Sequence, residues 1–149
     1  MTITVIGGSG FVGTRLVKRL LAAGHTVKIA DKRKSHAYPE LWNRCDIRNA
    51  PSETADFPES LTDAASAPGA HDEAVAAMEM HSLLDVFHGS DVVINLAAEH
   101  RDDVTPKSLY DEVNVMGSEN VCKACTELGI HKIIFTSSVA VYRICSDWN

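Results

Sequence analysis

The chain has 149 residues, 45% of them hydrophobic and 23% charged, with a net charge of −6. Such a length and composition fit one globular domain and exclude a disordered or collagen-like chain. No apolar run reaches the roughly 18 residues of a membrane span, the acidic total argues against a nucleic-acid partner, and Met1–Ile6 lacks the flank and apolar length of a secretory signal, so a cytoplasmic domain with no membrane partner is expected.

Met1–Ile6 carries Ile3, Val5 and Ile6 before a glycine cluster and predicts a buried strand. Phe11–Ala23 places Val12, Leu16, Val17, Leu20 and Leu21 at helical spacing, with Gly24 as its stop. Val27–Ala30 predicts a second strand ending at Asp31, and Leu41–Ile47 a short third one. Residues 50–80 interrupt this rhythm. They hold three of the five prolines, nine alanines and seven acids (Glu53, Asp56, Glu59, Asp63, Asp72, Glu73, Glu79), with no Lys or Arg. They predict an irregular, solvated acidic excursion, with a helix from His71 continuing into Leu84. Leu83–His88 predicts a helix end, Asp91–Ala98 a strand around Val92, Val93 and Ile94, Ser108–Leu128 a helix closed by Gly129, and Lys132–Ser137 a last strand. Strands alternating with helices imply a parallel sheet covered on both faces, hence an α/β, Rossmann-like doubly wound fold over residues 1–149.

The sharpest local signal is Gly7-Gly8-Ser9-Gly10-Phe11-Val12-Gly13, between the first strand and the first helix. Glycines allow the tight turn and let backbone approach a pyrophosphate, while the helix N-terminus supplies free N–H groups and a positive dipole end. The strand–loop–helix placement makes dinucleotide binding the reading of choice over a merely structural turn. Asp31, at the end of the second strand, can accept from a ribose 2′-hydroxyl and repel a 2′-phosphate, which favours NAD over NADP. Lys32 and Arg33, followed by Lys34, form the counter-signal.

With these features, the sequence resembles the extended short-chain dehydrogenase/reductase family, in its nucleotide-sugar epimerase/dehydratase branch. The resemblance rests on Val5–Gly13, Asp31, Asp46-Ile47-Arg48, Asp91–Ala98, Asn114-Val115-x-Gly117 and Phe135–Tyr142, met in that order. It implies hydride transfer between a sugar carbon and nicotinamide, with a nucleotide-sugar substrate and a homodimer as the assembly to test. It also implies roles: Gly7, Ser9, Gly10, Phe11, Val12 and Gly13 around the phosphates, and Asp46 and Ile47 flanking the adenine. Leu96, Ala97 and Ala98 would pass under the cofactor. Thr136 and Ser137 would back Ser138, the hydroxyl for the reacting sugar oxygen. Asn114 would shape the surrounding backbone and water, and His100 and Arg101 become candidate substrate contacts.

The departures are equally specific. The family base is the Tyr of a Tyr-x-x-x-Lys motif, whose Lys lowers the phenol's pKa. Here Tyr38, Tyr110 and Tyr142 are followed four residues later by Trp42, Asn114 and Ser146, and Arg143 stands where a Gly usually follows the tyrosine. The substrate-binding C-terminal part is missing, so the chain is expected to be a catalytically incomplete cofactor-binding part. A non-catalytic dinucleotide-binding sensor or interaction module is the alternative, because fold does not imply activity. Cys122-x-x-Cys125 falls inside a predicted helix without a second pair, which favours packing over a metal, and no metal site is expected; reduced thiols are the default for all four cysteines, Cys45 and Cys145 included.

Overall fold

The computed structural model describes residues 1–49, 80–100 and 103–138. Five short apolar segments pair as one parallel sheet: β1 (Thr2–Ile6), β2 (Thr26–Asp31), β3 (Trp42–Arg44), β4 (Val92–Asn95) and β5 (Ile133–Phe135), in the order β3-β2-β1-β4-β5. The reversal of strand order at β1 and β4 is the topological switch of a doubly wound sheet, where ligands bind beyond the carboxyl ends of the strands.

The pleat sorts the side chains onto two faces. Ile3 and Val5 of β1, Val27 and Ile29 of β2, and Val92 and Ile94 of β4 pack with Val17 of α1 (Phe11–Ala22) and with Trp42. Ile6, Ala30 and Val93 face the other way, against Leu83, Val86 and Phe87 of α2 (Leu83–Phe87) and Val121, Ala124 and Cys125 of a later helix. That second face also receives Lys28, whose ammonium donates to the carbonyls of Val86 at 3.3 Å and His88 at 2.7 Å. A cation there meets the negative end of α2 and satisfies carbonyls that the helix leaves open.

Two sequence expectations need correction. The helix expected to run from His71 into Leu84 does not: Ser82 is extended and forms a capping box with Asp85, so α2 starts at Leu83. Ser82 accepts from the Asp85 N–H while the Asp85 carboxylate takes the Ser82 N–H, which fixes a start that hydrophobic spacing alone cannot locate. The stretch expected as one regular helix, Ser108–Leu128, is helical but changes its winding. It opens as α3 (Ser108–Tyr110), widens to a π turn over Asp111–Met116 and continues as α4 (Gly117–Glu127). β5 is an edge strand, and its Ile133, Ile134 and Phe135 are exposed among the described residues. Residues 50–79, most of the acidic excursion, lie outside the described residues, as do Arg101 and the segment carrying Tyr142.

Candidate functional site

The loop between β1 and α1 turns on Gly7, whose φ is +75°. Its N–H donates to Ala30 on β2 at 2.9 Å and its carbonyl accepts from Gly10 at 3.1 Å. A Cβ on Gly13 would lie 2.6 Å from Gly8 Cα, so the first turn of α1 lies directly against the loop. No side chain caps α1 at Gly10, and no acid sits in its first turn. Its first N–H groups are therefore open to an incoming anion. Beside them, the Ser9 hydroxyl oxygen is buried without a hydrogen-bond partner.

A cavity of about 460 Å³ opens here, at the carboxyl ends of β1, β2 and β4. It gathers most of the expected cofactor residues, Gly7, Gly10, Phe11, Val12 and Gly13; Asp31, Lys32 and Arg33; Asp46 and Ile47; and Leu96, Ala97 and Ala98, together with His100, a candidate substrate contact. Ser9, Asn114, Thr136 and Ser138 are not in its lining. Cys45, Glu99 and Val113 are lining residues that the sequence reading missed. Cys45 and Val113 adjoin singled-out residues, but a thiol and a valine carry no binding signal of their own.

Asp31 is buried, and its carboxylate ties the site together. One oxygen accepts the Ser9 N–H at 3.0 Å and the other the Arg33 N–H at 3.0 Å. A carboxylate has about four lone-pair positions, so acceptor capacity is left for a sugar hydroxyl.

Asp46 is committed differently. Its oxygens accept from the Arg48 backbone N–H at 3.0 Å and from the Arg48 guanidinium at 2.7–3.1 Å, and Arg48 in turn reaches Glu112 at 3.6 Å. Burial alone would raise the Asp46 pKa, but the hydrogen bonds and charge of Arg48, with Lys32, hold it below the ordinary value. A carboxyl depressed in the folded state adds stability above its unfolded pKa of about 3.9, and that stability is lost as pH falls through the folded value. Asp85 is shifted the same way by the Ser82 hydroxyl. In urea unfolding from pH ~6 down to ~2, the chain is expected to lose stability below about pH 4, and Asp46→Asn to flatten that acid limb. An unchanged limb in the variant would show that the Arg48 pairing adds nothing to folding.

On the other side of the cavity the π turn places Asn114 against the segment after β4. Its amide oxygen accepts the Glu99 N–H at 2.9 Å and its amide N–H donates to the Glu99 carbonyl at 2.9 Å. Thr136 donates to the Asn95 carbonyl at 3.1 Å through both its N–H and its hydroxyl, while Ser138 is exposed. The Asn95 side chain accepts the Ala97 N–H at 3.0 Å, so backbone and side chain together shape the turn under the cavity. Burial, followed by the nearby Asp46 and Asp85 charges, pushes the Cys45 thiol up to about 12. Burial, then Cys122, pushes Cys125 to about 11. Such thiols pack rather than react. Among the described residues no group of three metal-ligating side chains gathers, and no helix is long and apolar enough to cross a membrane.

Residues 3–147 match the NAD dependent epimerase/dehydratase family. An Escherichia coli O157:H7 N-acetyl-alpha-D-glucosaminyl-diphospho-ditrans,octacis-undecaprenol 4-epimerase is 42% identical over 142 residues, covering 95% of this chain and 34% of the relative. Human sterol-4-alpha-carboxylate 3-dehydrogenase, decarboxylating, is 29% identical over 93% of this chain and 29% of its own length. The chain thus spans about a third of the curated relatives it matches. Among solved structures, the UDP-glucose 4-epimerase of Thermus thermophilus in complex with NAD superposes with a TM-score of 0.64 at 24% identity, over 93% of this chain and 38% of that one. That likeness confirms the doubly wound fold, and the NAD expected from Asp31 agrees with the family's dependence. The chain belongs to the NAD dependent epimerase/dehydratase family.

Proposed function

We propose that the cavity binds NAD and that this chain is the cofactor-binding part of a nucleotide-sugar epimerase or dehydratase. The observation that carries the reading is the uncapped, acid-free start of α1 beside the Gly7–Gly13 cradle, with the orphaned Ser9 hydroxyl next to it. These groups fit a pyrophosphate: the Phe11, Val12 and Gly13 N–H groups and the Ser9 hydroxyl would hold it. Asp31 would accept from a ribose hydroxyl, Asp46 and Ile47 would border the adenine, and Leu96, Ala97 and Ala98 would let the cofactor lie close to the sheet end. NAD, when bound, supplies a hydride acceptor for a sugar carbon. Ser138 would orient the reacting oxygen of the sugar, and Asn114 holds the Glu99 backbone at the cavity.

The names of the two epimerase relatives share a diphosphate-linked sugar or a nucleotide sugar as the thing acted on. That chemical class is the one we assign to the complete protein. The chain holds no Tyr-x-x-x-Lys, so it is proposed to bind NAD and to turn over poorly by itself. Calorimetric titration with NAD and NADP tests the binding, and a sugar-epimerisation assay tests the incompleteness. NAD is expected to bind more tightly than NADP. Failure of both at millimolar concentration would overturn the cofactor reading, and efficient epimerisation by the 149-residue chain would overturn the incompleteness.

A further inference from the structure

The loop Asp46–Asn49 lends Asp46 and Ile47 to the cavity wall, yet no strand or helix contains it. Beyond the Asp46–Arg48 pairing within it, one side chain on α4 reaches three of its carbonyls. The Asn120 amide nitrogen lies 3.0 Å from the Ile47 carbonyl, 3.2 Å from the Arg48 carbonyl and 3.0 Å from the Asn49 carbonyl. Three consecutive carbonyl oxygens thus converge on one donor group, which fixes the amide's orientation, because its own oxygen would be repelled there. Two neighbours on the same helical stretch add to the seat. A Cβ on Gly117 would lie 2.7 Å from the Ile47 Cδ1, so the helix meets Ile47 without a side chain between them. Glu112, in the π turn, pairs with Arg48, the partner of Asp46.

We infer that Asn120 is a positioning residue for adenine recognition: it holds Asp46 and Ile47 at the cavity wall without touching the cofactor. The inference rests on the NAD-binding reading above. The physical reason is that three carbonyl oxygens converging on one point with no donor between them repel one another, and the loop relaxes by turning them toward water. The side chains set by that backbone then leave the cavity edge.

The test is a comparison of two dinucleotides, NAD and its hypoxanthine analogue, in which a carbonyl replaces the exocyclic amine of the adenine. Calorimetry on the 149-residue chain gives the two affinities and their ratio. The unmodified chain is expected to prefer NAD by about tenfold, the size of one hydrogen bond to a charged group. Asn120→Asp replaces the donor group with an anion facing three carbonyls. It is expected to weaken NAD about tenfold and bring the two dinucleotides within about twofold of each other. Asn120→Ala, which leaves space for water, serves where the aspartate variant does not fold, and it is expected to move the ratio in the same direction. A folded variant that keeps the original preference, whatever its overall affinity, would overturn the inference, since mere loosening of the fold weakens both dinucleotides alike. If the unmodified chain binds neither dinucleotide, the cofactor reading itself is what fails. If it binds both equally, the adenine edge is not read at this loop and the inference is overturned while the cofactor reading stands.

Discussion

Gly13→Ala is expected to abolish measurable NAD binding, by at least about a hundredfold, and to cost about 3 kcal/mol of folding stability. The added methyl would lie 2.6 Å from Gly8 Cα and 2.8 Å from the Gly8 carbonyl carbon, both backbone atoms that no rotamer change can move. Either α1 retreats from the sheet or the loop opens, and in both cases the N–H groups at the helix start no longer face the cavity. Gly10→Ala provides the comparison. Its nearest atom is the Gly7 carbonyl oxygen at 3.3 Å, a contact that a shift of a few tenths of an ångström relieves. That variant is expected to stay within about 1 kcal/mol of the parent in urea unfolding. Equal tolerance of both substitutions would mean that the close approach at Gly13 contributes nothing to the site.

Asp31→Ala should reverse the cofactor preference. Removing the carboxylate leaves the Ser9 N–H without its acceptor and frees the Arg33 N–H, at a combined cost of about 2 kcal/mol, most of it at the less exposed Ser9. The same change deletes a negative charge from a cavity wall that also holds Lys32 and Arg33. The two cations then act on an incoming 2′-phosphate without the Asp31 charge beside them. Titrations are expected to show NAD weakened by about tenfold or more and NADP bound more tightly than NAD. Asp31→Asn keeps one carbonyl acceptor and should fall between the two. An unaltered NAD-to-NADP ratio would reduce Asp31 to a tether for the glycine loop.

The elements read correctly from the sequence are those whose signal is local and doubled. β1, the glycine loop, α1 and β2 carry both periodicity and punctuation, and Gly24 and Gly129 close their helices with φ of +79° and +67°. The residues that meet at the cavity were legible for the same reason, since Gly, Asp and small residues stood at fixed places in strand–loop–helix units. The π turn was not legible, because the apolar spacing of Val113, Val121 and Ala124 satisfies a regular helix equally well; only the folded backbone shows the extra width at Asn114. The capping box at Ser82 was written in the sequence but was outweighed by the alanine-rich stretch before it. Asn120 was missed because a mid-helix asparagine ordinarily points to water, and its three acceptors lie more than seventy positions away in the chain.

The order of the sheet also governs how the chain assembles in time. β1 lies at its centre: it pairs with β2 soon after it in sequence, and with β4 only after a long detour. At the edge of that second pairing the Thr2 N–H meets the Asp91 carboxylate, a contact spanning 89 residues. Local pairings close quickly and distant ones slowly, so one flank of β1 is satisfied early while the other waits for β4. The strand that begins the sheet is thus among the last to have both edges filled, and the cavity, which needs both neighbours, is a late product of folding.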